Sequence, residues 1–317
     1  MPALVPEGQI AFGMQLPIQT LTRTLCDPWE DDATVDDLVS VARTAEASGM
    51  AFIGVCDHVA IPDNDYARHM TTTWYDTVAT LAFLAAHTEA VRLLSVVWVA
   101  AYRHPLQTAK SFGTLDHLSG GRAILGVGAG HVEAEFEALG IDFASRGKRL
   151  DETLEAIGGA FDDTYVSHEG QHFAYHDVGV APAPAAGELT MWIGGGGKAA
   201  LRRVGQHGHG FIPFTQSPAD YPGIIAIIGE AAEQAGRGGE RFDIGAFAPR
   251  VYLGDPPDGL NPVHMSGSCD QIAAAIRGIV GLGANTVHCA FRGRDRSEYE
   301  DQVRQFGAEV MPLVREG

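Results

Sequence analysis

The 317-residue chain reads as an α/β protein, a (β/α)8 TIM barrel with insertions in its rim loops. Three observations point there: eight apolar runs of strand length, amphipathic stretches of helix length between them, and no glycine cluster after the first run. Continuous apolar strands are covered on both faces, as in a parallel sheet wrapped by helices. The rival is an open doubly wound sheet, which places its glycine fingerprint in the first βα turn. Here the run IAFGMQL at 10–16 leads into Pro17 instead, so the closed barrel is favoured. Its active face is then the rim at the strand C-termini.

The remaining runs are AFIGV at 51–55, VRLLSVVWV at 91–99, AILGV at 123–127, TMWI at 190–193, GFI at 210–212, DIGAFA at 243–248 and TVHCA at 286–290. Helical periodicity covers 34–48, 75–87, 106–118, 146–161, 198–207, 218–235 and 269–282, with a tail helix near 297–311. Segments 56–74, 162–188 and 249–268 exceed what a plain barrel needs, and loops of that length usually serve as lids or binding loops. The second contains VSHEGQHFAYHDV, which alternates like a β-hairpin. The whole of 1–317 is read as one domain.

A hydrophobic content of 45% supports a large core, and a formal charge of -18 disfavours tight binding to a nucleic-acid backbone, which needs clustered Lys and Arg. Only Lys110, Lys148 and Lys198 occur, and the arginines are scattered, so no polybasic membrane patch exists. The opening MPALVPEGQI lacks the basic and apolar regions of an export signal, and IIAIIG at 224–229 is too short to span a bilayer. Cys26, Cys56, Cys269 and Cys289 are far apart with no C-x-x-C pair. The expectation is a soluble cytoplasmic protein with reduced thiols, acting on a small molecule.

Asp57 and His58 follow directly on the second strand and so belong to the rim, where an imidazole trades protons near neutral pH. The plain alternative is a turn cap followed by a surface histidine. The fourth strand empties into Gly126, Gly128 and Gly130 before a helix carrying Glu133, Glu135 and Glu137. Glycines there let a flat or anionic ligand approach the backbone, with His131 facing the same pocket. A dinucleotide fingerprint is rejected, because His131 stands where the third glycine belongs. IGGGGK at 193–198 places four glycines before a helix start, a geometry that receives a phosphate through backbone amides. His168-Glu169-Gly170-Gln171-His172 matches H-E-x-x-H, but its strand-like context and Gly170 argue against the helical zinc motif, and no metal site is assigned. His207 and His209 precede the sixth strand on the stability side of a barrel, and Trp74, Tyr102 and Phe214 fall near strand ends where they shape a pocket or simply pack.

Taken together, DHVAIP after the second strand, YRHPLQTAKSFGTLDHLSGGRAILGVGAGH, FEALGIDFASRGKRLDETLEAI, MWIGGGG and SGSCDQIAAAIRGIVGLGANTVHCAF resemble the bacterial luciferase-like superfamily of flavin and deazaflavin enzymes. The resemblance runs over nearly the whole chain, and LSGGR joined to GVGAG is most similar to the branch using the deazaflavin coenzyme F420. It implies a cofactor held at the rim, with its phosphate over Gly194, Gly195, Gly196 and Gly197 and near Thr215. Asp57 and His58 would lie beside the reactive ring, with Gly128 and Gly130 lining the cofactor site. His131 takes a position that in some relatives bears a carboxylate acid. A non-prolyl cis peptide is implied at Ser95–Val96, under the ring. Pairing through helices on one side of the barrel, a homodimer, is the assembly it implies.

The leading expectation is an oxidoreductase that transfers a hydride between F420 and a small organic substrate, with His58 exchanging the accompanying proton. The runner-up is a monooxygenase using reduced FMN. A zinc hydrolase built on HEGQH and a barrel that binds flavin without turnover are the remaining classes.

Overall fold

A computed structural model describes residues 3–214 and 216–316. Eight parallel strands form and close on themselves: β1 (Ala11–Gln15), β2 (Phe52–Val55), β3 (Arg92–Ser95), β4 (Ala123–Gly128), β5 (Met191–Gly194), β6 (Gly210–Ile212), β7 (Asp243–Leu253) and β8 (Thr286–Phe291). Each pairs with the next, and β8 returns to β1 through Ala11↔Thr286 to Met14↔Cys289. The expected TIM barrel is therefore what the chain builds. The helices are α1 (Val35–Ala47), α2 (Thr77–Ala85), α3 (Pro105–Ser119), α4 (Glu133–Ala138), α5 (Arg146–Gly158), α6 (Lys198–His207), α7 (Tyr221–Gln234), α8 (Cys269–Val280), α9 (Arg296–Gln305) and α10 (Met311–Arg315). Side chains of Thr34, Asp76, Ser268 and Asp295 cap the starts of α1, α2, α8 and α9, and Gly120 in the left-handed region (φ 71) stops α3.

Two apolar layers hold the barrel. Outward residues such as Phe12, Met14, Ile53, Leu93 and Leu125 pack against the helices, while Phe52, Leu94, Ile124, Trp192 and Ile212 fill the interior. Phe52 meets Trp192 edge-on at 5.3 Å, and each such side chain contributes about 1.5–3 kcal/mol by leaving water. At the N-terminal end of the strands, the amides of Leu4 and Val5 donate to the buried Asp243 carboxylate at 2.8 and 3.0 Å. That ties the start of the chain under the barrel.

The third apolar run is not one strand. β3 ends at Ser95, and the chain rejoins the sheet at Trp98–Val99, paired with Val127 and Gly128. The non-prolyl cis peptide is Val96–Val97, one bond later than expected at Ser95–Val96. Ser95 is still in the ladder opposite Val55, with its hydroxyl donating to Gly126 O at 2.8 Å, and Val96 N still donates to Val55 O. The chain leaves the sheet only after that bond. Three glycines from three different strands make room for it. A Cβ on Gly54 would lie 2.5 Å from Val96 Cγ2, and Cβ atoms on Gly128 and Gly194 would lie 2.7 Å from the methyls of Val97.

β7 runs to Leu253, past the expected end at 248, with a bulge between Ala248 and Val251 where Arg250 has φ 51. The expected hairpin forms from Val166–Glu169 and Ala174–Val178. Among the described residues no helix is long and apolar enough to cross a membrane.

Candidate functional site

Because all eight strands are parallel, everything that follows a strand end faces one mouth. His58, three residues beyond β2, and the glycine turn that ends β5 therefore share the same rim.

Asp57 is buried, and both its oxygens are engaged: Arg103 donates to them at 2.5 and 2.9 Å, and Val99 N at 2.8 Å. Arg103 in turn lies 3.5 Å over the Trp98 ring. This clamp fixes the segment after β3 against the segment after β2. In the protein alone Asp57 is thus a brace for the rim.

His58 is nearly buried, and its Nδ1 lies 2.9 Å from Glu135 Oε2. Glu135 has no exposure and receives three more bonds: Val59 N and Ala60 N donate to Oε1 at 2.5 and 3.1 Å, and Tyr102 Oη donates to Oε2 at 2.8 Å. Burial alone raises such a carboxyl, but the His58 bond and charge, with Tyr102 and the Ala60 amide, outweigh it and hold Glu135 below the usual carboxylate range. An ionised carboxylate only accepts, so His58 carries its proton on Nδ1 and presents a bare Nε2 whenever it is neutral. Trp74 packs edge-on to the His58 ring at 4.4 Å.

Sequence reading saw Glu133, Glu135 and Glu137 as equivalent. Of the three only Glu135 is buried, and because Glu133 stands at the same two spacings from buried Val132 and Phe136, no local periodicity singles Glu135 out. Arg103 carries no local signal either, since its partner lies 46 residues away.

His131 stands 6.0 Å from His58 between ring centroids, with Tyr66 and Phe214 each at 6.2 Å. Tyr66 Oη is 2.9 Å from His131 Nδ1, so the loop after β2 reaches across to the loop after β4. Crowding by neighbours, then the charges of His58 and His69, lower the His131 pKa against the opposing pull of Glu135.

The glycines at the end of β4 and just beyond it have protein side chains against their Cα atoms. Gly128 gives its room to Val97, and a Cβ on Gly130 (φ 82) would strike Val99 and Phe136 within 2.9 Å. Protein side chains fill that space. Ser95 is buried with its hydroxyl spent on Gly126, and Val96 fills the hollow at Gly54, so both shape the floor of the mouth.

At β5 the picture differs. Gly195 has φ 140, and Gly197 starts the ten-residue α6 with no side-chain cap. Gly196 and Gly197 are exposed, and a Cβ on Gly197 would meet nothing within 4 Å. Open space in front of uncapped first-turn amides suits a phosphate. Thr215 lies outside the described residues.

Elsewhere, the HEGQH segment sits in the hairpin, with His168 Nε2 3.5 Å from Glu152 Oε1. Among the described residues no three metal-binding side chains gather. His209 Nδ1 accepts Met191 N at 3.0 Å on the far side of the barrel, and burial pushes its pKa down to about 4.

Comparison with known proteins follows the same lines. The profile of a family described as luciferase-like monooxygenase matches residues 14–265. An F420-dependent glucose-6-phosphate dehydrogenase from Kineococcus radiotolerans is 25% identical over 322 aligned positions, covering 88% of this chain and 93% of that protein. Among solved structures, the monooxygenase RslO1 from Streptomyces bottropensis superposes with a TM-score of 0.78 at 19% identity, over 96% of this chain and 99% of that one. The oxygenating constituent of 3,6-diketocamphane monooxygenase from Pseudomonas putida, in complex with FMN, gives 0.75 at 15% identity, over 96% and 98%.

Proposed function

The chain belongs to the luciferase-like monooxygenase family, and from that premise we propose that it is an oxidoreductase moving a hydride between the deazaflavin coenzyme F420 and a small alcohol or carbonyl compound. The supporting observation is the His58–Glu135 pair at the mouth that also holds the open glycine turn before α6. The turn fits the coenzyme phosphate, with the amides of Gly196, Gly197 and Lys198 as its donors. When bound, the coenzyme supplies the carbon that accepts or gives up the hydride. The relative from Kineococcus radiotolerans, by its name an F420-dependent dehydrogenase, supports this choice.

The residues of the chain do the rest. Asp57 and Arg103 keep the rim from opening, and Trp74 with Tyr102 shields the His58–Glu135 pair from water. His58 takes the hydroxyl proton at Nε2 during alcohol oxidation, and Glu135 stabilises the imidazolium that results. Carbonyl reduction runs the same path backwards.

A second reading is a monooxygenase using reduced FMN. The glycine turn suits the phosphate of FMN equally, and the Pseudomonas putida structure carries FMN. Two assays separate the readings. Incubation with F420 and a panel of small secondary alcohols, followed at the deazaflavin absorbance band, gives coenzyme reduction if the first holds. Oxygen uptake with reduced FMN and no F420 turnover replaces it with the second. Substitution of His58 by Ala abolishes F420 reduction while leaving coenzyme affinity intact; unchanged turnover removes His58 from the mechanism.

A further inference from the structure

Two imidazoles face the mouth, and each is tied at Nδ1 to a different kind of partner. His58 Nδ1 meets the Glu135 carboxylate at 2.9 Å, and His131 Nδ1 meets the Tyr66 phenol at 2.9 Å. A carboxylate only accepts. A phenol donates well to the bare nitrogen of a neutral imidazole.

We propose that Glu135 and Tyr66 hold the two rings in opposite tautomers, so that His58 offers a bare Nε2 while His131 offers an Nε2–H to the substrate oxygen. The inference rests on the hydride-transfer reading above. The rings stand 6.0 Å apart between centroids, wide enough to bracket one hydroxyl or carbonyl oxygen. Balance is simple. In oxidation the C–H bond gives its hydride to the coenzyme ring, the O–H proton passes to His58 Nε2, and the C=O bond forms with His131 still donating to that oxygen. Nothing leaves His131, so it polarises the oxygen and transfers no proton. Tyr66 touches no reacting atom and is a positioning residue.

The arrangement requires His131 to stay neutral. The groups that act on it electrostatically are His58, Glu135 and His69, with Tyr66 on its ring nitrogen, and crowding favours the uncharged form. A bond donated by Tyr66 to the neutral ring acts in the same direction, so its removal raises the His131 pKa.

Tyr66 is exposed, so replacing it with Phe leaves the fold intact while deleting only the hydroxyl. Long-range proton–nitrogen NMR on the whole chain labelled at histidine reads both tautomers without coenzyme, with His131→Gln assigning the resonance. The expected result is Nδ1–H at His58 and Nε2–H at His131. Tyr66→Phe scrambles the second and moves its titration midpoint upward. In the loaded enzyme the same variant lowers kcat/KM about 2- to 12-fold, the worth of one neutral hydrogen bond, and shifts the acid limb of the pH profile up with no change in F420 affinity. An Nδ1–H tautomer at His131, or a spectrum and pH profile untouched by Tyr66→Phe, overturns the proposal. Failure to bind F420 in a separate titration instead overturns the hydride-transfer reading, and the catalytic part of this one with it.

Discussion

Substituting Glu135 by Gln is the sharpest perturbation of this site, because the two oxygens of the carboxylate do different jobs. Oε1 accepts from the amides of Val59 and Ala60, and Oε2 accepts from His58 Nδ1 and Tyr102 Oη. A glutamine whose oxygen takes the Oε1 place keeps both backbone bonds. Its NH2 group then occupies the Oε2 place and donates to His58 Nδ1, which moves the imidazole proton to Nε2. His58 is thereby converted from a proton acceptor into a donor without moving. A positioned general base is worth about 10²- to 10⁴-fold, so kcat for alcohol oxidation falls by that factor, a barrier increase of about 3–5 kcal/mol. The folded state loses about 1–3 kcal/mol through the weakened bonds. Steady-state kinetics, an F420 titration and urea unfolding on the same preparation measure all three. A variant that folds and binds F420 but keeps kcat within about threefold, far less than a general base contributes, refutes the reasoning.

Three other outcomes follow from the same coordinates. Gly194→Ala puts a methyl 2.7 Å from a Val97 methyl and costs about 1–3 kcal/mol of stability, and adding Val97→Ala recovers most of it in urea unfolding. Gly197→Asp places a carboxylate at an uncapped helix start with nothing within 4 Å, so the melting temperature is kept or raised while F420 affinity falls at least about tenfold through charge repulsion with the phosphate. Glu30, buried and accepting Ile18 N and Asp27 N at 2.6 and 2.7 Å, has its pKa raised to about 7 by burial. A raised carboxyl contributes stability below its unfolded pKa and loses it as pH climbs through the folded one. Glu30→Gln therefore gains on the wild type by up to about 3 kcal/mol between pH 4.5 and 7, and a difference that stays flat over that range contradicts the account.

The barrel was legible because parallel strands buried on both faces leave unbroken apolar runs, and the run at 210–212 and the helix at 198–207 match the structure residue for residue. The break in the third strand was not, since Val96 and Val97 continue the apolar pattern while the hollows that receive them come from Gly54, Gly128 and Gly194. A glycine that admits a ligand and one that admits a distant valine look alike in sequence. GVGAG reads as a cofactor wall, and the room its Gly128 and Gly130 give to Val97, Val99 and Phe136 has no sign in the local sequence. His58 could be placed on the rim from its position alone. Its partner could not, because Glu135 lies 77 residues on, and Tyr66 meets His131 across 65. Such pairings belong to barrel closure, which no local window contains.

The central claim is that one mouth of this barrel holds a tricyclic redox coenzyme by its phosphate beside His58. Titrating the purified chain with F420 and, separately, with FMN tests it directly. The account predicts saturable binding of one equivalent per chain, tighter for F420 than for FMN. Saturation by neither coenzyme contradicts it.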